Sequence, residues 1–323
     1  MNRRIIKSIL TKKHAEWCKS IKDETVRKMV EKNSIITGGA IVSMLMKEKV
    51  NDFDIYFTDF ETTKAVAIYY VNEFNRLHPT KIDPNLSSEI QKTKRPFVLI
   101  EENRVRIRIK SAGIIGENTD ENQYQYFKQR PIEEGEEYIT QSLSEVLTEA
   151  DQLDGEKIDD DQKEKYRPVF LTDNAITLSN KIQIVIRFYG MPEEIHDNYD
   201  FIHCTCYWTS KDKDLVLPPA ALESILSKQL YYHGSKYPVC SFIRCRKFIK
   251  KGWHINAGQM LKICMQISEL NLTDIPTLED QLTGVDTAYF IQVIYHLKKK
   301  QEEKEDFHID MPYLITIIDR MFG

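Results

Sequence analysis

Two motifs a helix-length apart constrain this chain most. The first, Ile35-Ile36-Thr37-Gly38-Gly39-Ala40-Ile41-Val42-Ser43-Met44-Leu45, is an apolar lead-in to adjacent glycines followed by a helix-compatible run. The second, Asn51-Asp52-Phe53-Asp54-Ile55-Tyr56-Phe57, sets two acids one residue apart at the head of a β-rich segment. Where a strand alternates, Asp52 and Asp54 share one face and Phe53 takes the other, toward the core. Two carboxylates side by side suit a hard divalent cation. Paired glycines let a backbone approach a phosphate closely, and a helix beginning at Ala40 would add its free N–H groups and positive dipole end. The competing reading, a helix start followed by an N-capping Asp and a turn, uses the same residues without a ligand.

A Gly-Gly turn entering a helix, then Asp-x-Asp on the next strand, resembles the nucleotidyltransferase superfamily that includes DNA polymerase β, poly(A) polymerases and tRNA CCA-adding enzymes. Thr37-Gly38-Gly39-Ala40 through Asp52-Phe53-Asp54-Ile55-Tyr56-Phe57 is most similar to uncharacterised nucleotidyltransferase-like proteins of large bacteriophages. The resemblance implies an α+β fold, a polymerase β-like mixed sheet with flanking helices, followed by an α-helical C-terminal domain. It implies transfer of a nucleoside monophosphate from an NTP to an acceptor hydroxyl, RNA being the favoured acceptor. Mg²⁺ or Mn²⁺ would be held by Asp52, Asp54 and a third carboxylate. Asp200, in Tyr199-Asp200-Phe201, is expected to fill that third position from a strand beside the one carrying Asp54; the alternative is that it caps a turn, and Glu101 or Glu102 is the fallback. Gly38 and Gly39, with a hydroxyl from Thr37 or Ser43, would hold the β- and γ-phosphates, although Ser43 equally fits an ordinary helix-surface position. CCA-adding enzymes carry an Arg-Asp pair after the glycines, where this chain has Ile41-Val42-Ser43. That departure points to a divergent enzyme.

At 323 residues, 41% hydrophobic and 29% charged, the chain can bury a sizeable core in one large or two modest domains. No apolar run reaches the length of a membrane span and the first residues do not read as a secretory signal, so a cytoplasmic location is expected, that of the host if phage-encoded. The net charge of −4 hides an uneven distribution. Acids dominate residues 116–165, read as a partly ordered insertion, and bases dominate 236–262. Six scattered cysteines read as reduced, mostly buried thiols; Cys204 and Cys206 would share a strand face but lack further zinc ligands nearby.

Periodicity predicts two short helices within 7–32, a helix over 59–77, a hairpin at 97–109 with Arg104, Arg106, Arg108 and Lys110 on one face, and strands at 166–171, 174–178, 181–188 and 198–208. Helices are expected at 220–231, 241–250, 257–270, 287–300 and 311–321. The partition is therefore 1–215, a catalytic α+β domain with the acidic insertion, and 216–323, a helical domain. On the helix after Pro238, Arg244, Lys247 and Lys251 share one side, with Phe242, Cys245 and Ile249 on another. Beside Tyr231, Tyr232, Tyr237 and Trp253 these cations could bind triphosphate or a nucleic-acid backbone and stack bases; the plainer reading makes the aromatics core. Three functions fit: a transferase acting on RNA, an inactive nucleotidyltransferase-like binding or virion-associated protein, and a nucleotidyltransferase acting on a protein or small molecule. The residues choose neither NTP, acceptor nor oligomeric state.

Overall fold

Asn2 and Asp23 open the first two helices, their side-chain oxygens accepting the N–H of Arg4 and those of Thr25 and Val26. The computed structural model describes residues 2–78, 95–108, 114–115, 165–282, 312 and 316. Helices α1 (Arg3–Ser20) and α2 (Glu24–Asn33) are separated at residues 21–23, and Asp59 caps α4 (Phe60–Leu77) through the Thr62 N–H and hydroxyl. The chain divides into two compact units. Among the described residues, the first holds those up to Asp197 and His203–Ile225; the second holds Asn198–Ile202 and those from Leu226 on.

The first unit is α+β. Its strands are β1 (Ser34–Thr37), β2 (Phe53–Phe57), β3 (Phe97–Glu101), β4 (Arg104–Arg108), β5 (Ile114–Ile115), β6 (Pro168–Leu171), β7 (Ala175–Leu178), β8 (Ile182–Tyr189), β9 (Tyr207–Thr209) and β10 (Leu215–Val216). Eight form one mixed sheet, ordered β10-β9-β1-β2-β8-β7-β6-β5; β3 and β4 form the separate hairpin. In this sheet β2 and β8 pair in parallel and the other described pairs are antiparallel. Asn180 and Lys181, both at positive φ, turn β7 into β8. Val105 and Ile107 are fully buried on the hairpin's inner face, as alternation requires. The outer arginines are engaged in part: Arg106 pairs with Glu101 and Asp173, and Arg104 donates to the Asn174 side chain. Ile109 and Lys110 lie outside the described residues.

One sheet face is dry. Ile36, Ile55, Phe57, Ile182, Ile184, Ile186 and Trp208 are all at most 1% exposed. Helix α1 brings Trp17 to Phe57 and His14 to Trp208, and Trp17 Nε1 donates to the Tyr70 hydroxyl of α4 at 2.7 Å. The opposite face buries Ile35, Thr37 and Tyr56 but is more open across β2 and β8, where Asp54, Gln183, Val185 and Arg187 are half-buried; on β8 those last three alternate with the buried isoleucines.

Two expectations fail between 198 and 208. The segment forms no long strand: Ile202–Thr205 is a 3₁₀ turn and only Tyr207–Thr209 pairs, with β1 and β10. Asp200 therefore opens no strand beside β2, whose two edges are already taken by β1 and β8. Cys204 and Cys206 likewise do not share a strand; Cys206 is fully buried, and burial pushes its thiol up to about 12.

Helix α6 (Pro219–Ser227) follows β10. In the second unit, α8 (Ala257–Ser268) and α9 (Ile275–Leu282) pack on α7 (Pro238–Lys250), whose Phe248 belongs to a ring cluster, meeting Phe201 at 5.5 Å and Trp253 at 6.0 Å. Helix α9 has no counterpart in the expected elements. The acidic insertion, but for Lys165, and almost all of the two expected last helices lie outside the described residues. No helix among the described residues is long and apolar enough to cross a membrane.

Candidate functional site

Pairing of β1 with β2 ends at Thr37 opposite Asp54. The glycine turn thus leaves the sheet where the strand carrying the acids enters it, and two motifs separated by a helix become neighbours. Gly38 has φ 87° and ψ −147°, a conformation that side chains resist, and its N–H donates to the Cys204 carbonyl at 3.2 Å. Gly39 is the first residue of α3 (Gly39–Met46) and is exposed; nothing stands within 4 Å of where a Cβ would project. Helix α3 thus starts at the acids' end of the sheet, where the first-turn N–H groups of a helix have no partner within the helix itself.

Asp52 precedes β2 by one residue, Asp54 is its second residue, and both are half-buried. Phe53 between them is 7% exposed, anchoring the strand while its N–H donates to the Lys181 carbonyl at 2.8 Å. Two carboxylates at a strand entrance are the type of oxygen donor a hard cation takes. Among the described residues no group of three His, Cys, Asp or Glu side chains is arranged to hold a metal ion.

A polar row crosses the sheet at this level. Tyr207 pairs with Thr37, Thr37 with Asp54, Asp54 with Gln183 and Gln183 with Thr177. Residues in register on neighbouring strands share a face, so all five lie on the open side. Thr37 is fully buried and its hydroxyl donates to the Cys206 carbonyl at 2.9 Å, with His196 Nε2 also 2.9 Å away. A hydroxyl has one proton, so the imidazole satisfies both contacts by donating its Nε2–H to the Thr37 oxygen. Thr37 thereby holds the glycine turn to the segment before β9. His196, the last residue of α5 (Pro192–His196), stacks on Tyr207 at 5.5 Å; burial lowers its pKa to about 4, so it is neutral at pH 7. Ser43 is half-buried on α3.

The remaining sequence candidates sit in the second unit. Asp200 is 7% exposed and accepts a 2.7 Å charged hydrogen bond from Arg244 Nη1. The acid expected on a metal and the cation expected on a triphosphate thus pair with each other. Lys247 and Lys251 are exposed. The expected sidedness of α7 changes: Cys245 is buried, but Phe242 and Ile249 are 50% and 47% exposed. Tyr232 and Trp253 are 4% and 3% exposed, because the ring cluster uses them as core, so neither offers a face to a base.

His196, Gln183 and Tyr207 are absent from the sequence candidates. Their signal was indirect: each is named only by its register or contact with Thr37 and Asp54, and register is a property of pairing, not of one strand's pattern.

No curated protein matches the chain. Among solved structures it is similar to the Thermotoga maritima CCA-adding enzyme complexed with tRNA, at 9% identity and a TM-score of 0.35, over 92% of this chain and 57% of that one. The chain thus spans little more than half that enzyme's length. The family model described as Gabija anti-defense 2 family protein matches residues 8–228, which include the glycine turn, both acids and the whole polar row, and the chain belongs to that family.

Proposed function

We propose that the chain is a cation-dependent nucleotidyltransferase that moves a nucleoside monophosphate from an NTP to an acceptor hydroxyl, on a polymerase β-like fold, and that this transfer serves the anti-Gabija role its family description states. The observation that supports the reading is the register Thr37↔Asp54, which sets a glycine-headed helix start beside the entrance of the strand that carries the acids.

In this reading the Gly39 and first-turn N–H groups bind the β- and γ-phosphates, and Asp52 and Asp54 hold the cation. A bound Mg²⁺ or Mn²⁺ would supply charge neutralisation at the reacting phosphate and a more acidic attacking hydroxyl. Thr37 and His196 fix the turn, and Phe53 fixes the spacing of the acids; positioning and charge are most of what such a transfer needs. Ser43, on the helix that the glycine turn opens, stays a candidate phosphate contact. A second reading, a nucleotide-binding protein without catalysis, is favoured by the lack of a three-group metal cluster among the described residues and by the Asp200–Arg244 pair. Incubation with each labelled NTP, Mg²⁺ or Mn²⁺, and RNA, protein or small-molecule acceptors separates them. The first reading expects label on one acceptor class; label on none, with NTP still bound, selects the second.

A further inference from the structure

Asp54 has two in-register neighbours, Thr37 on β1 and Gln183 on β8. Thr37 is spent on the fold, its hydroxyl held by Cys206 and His196. Gln183 differs. It is half-buried on the open face, and among the described residues its side chain makes no hydrogen bond. Adjacent strands lie about 4.8 Å apart, so a side chain two methylenes long at 183 is within reach of a ligand held by the Asp54 carboxylate. A carboxylate there would complete an acidic triad. The chain places an amide there instead, whose carbonyl oxygen is a hard, neutral donor to a cation and whose N–H groups donate to phosphate oxygens.

We infer that Gln183 is a positioning residue of the cation site, the neutral donor beside Asp54, and that the site consequently takes its cation together with the nucleotide's phosphates. This inference rests on the proposed role of Asp52 and Asp54. Its physical basis is charge count: a site with fewer carboxylates holds a divalent ion weakly alone, and triphosphate oxygens supply the missing negative charge. An acid at 183 would face Asp54 directly, and like charges in register repel until a cation lies between them.

Mn²⁺ binding to the full chain, read from the loss of the free-ion electron paramagnetic resonance signal without nucleotide, tests this. Wild type is expected to bind weakly. Gln183→Glu should tighten binding on the order of ten-fold, and its melting temperature should fall below that of wild type without metal and recover with Mn²⁺. Gln183→Ala should weaken Mn²⁺ binding in the presence of an NTP analogue by several-fold, and it covers the case in which the glutamate variant does not fold. Unchanged affinity in both variants would overturn the inference while leaving the cation reading intact, provided Asp54→Asn weakens Mn²⁺ binding. If Asp54→Asn binds Mn²⁺ as wild type does, the cation reading itself fails and this inference fails with it.

Discussion

Gly38 and Gly39 are adjacent and chemically identical, yet the structure asks different things of them. Gly38 sits at φ 87°, so Gly38→Ala is expected to cost about 1–3 kcal/mol in urea unfolding before any ligand is considered. Gly39 faces open space at a helix start, and Gly39→Ala should hold stability within about 1 kcal/mol of wild type. If phosphates approach there, the same methyl group should weaken NTP binding at least several-fold by calorimetry. Normal NTP binding by Gly39→Ala would remove the phosphate role from this turn. The pair shows what a sequence discloses at residue scale: adjacent glycines announce a turn, but not which of them serves the backbone and which the ligand. Asp200 makes the same point from the other side. As an acid at the head of an expected strand it reads as a metal ligand, whereas in the fold its carboxylate is a half-covered arginine's partner.

At the scale of elements, the helices and most strands follow from periodicity because each buries one face, and burial leaves a pattern of 3.6 or 2. Segment 198–208 misleads because β-branched and aromatic residues also fill 3₁₀ turns when tertiary contacts claim them; Ile202, the buried His203 and Thr205 are such cases. Helix α1 gives a prediction of its own. His14 is buried between Trp17 and Trp208, lies 3.2 Å from the Val30 carbonyl, and burial lowers its pKa from the ordinary histidine value of about 6.5 to about 4. The unfolded chain therefore binds a proton that the folded chain refuses. Stability is full above about pH 6.5 and falls as pH drops toward 4, by up to about 3 kcal/mol from this one group. Urea midpoints measured from pH 7 to pH 5 should fall, and His14→Gln should flatten the slope; an unchanged slope would assign the acid sensitivity elsewhere.

For the whole molecule, the first unit carries the glycine turn, the acids and the polar row, and the second carries Asp200 and the cations of α7. The second unit's aromatics are structural: Trp253→Ala should cost about 3–5 kcal/mol in that unit's unfolding, with no selective loss of RNA binding in the protein that remains folded. Selective loss of binding at unchanged stability would restore Trp253 as a stacking surface. Arg244→Ala leaves the buried Asp200 carboxylate without that partner and should cost about 1–3 kcal/mol; in the same variant, a Mn²⁺ affinity matching wild type would separate this pair from the cation site. The central claim, that the glycine turn and Asp52–Asp54 form one catalytic site, is tested most directly by Asp54→Asn in the labelled-NTP transfer assay beside its own urea unfolding curve. The account predicts loss of transfer by at least a hundred-fold, of the order expected when a group stabilising transition-state charge is removed, with the unfolding midpoint kept. Full transfer by a folded Asp54→Asn chain would contradict it.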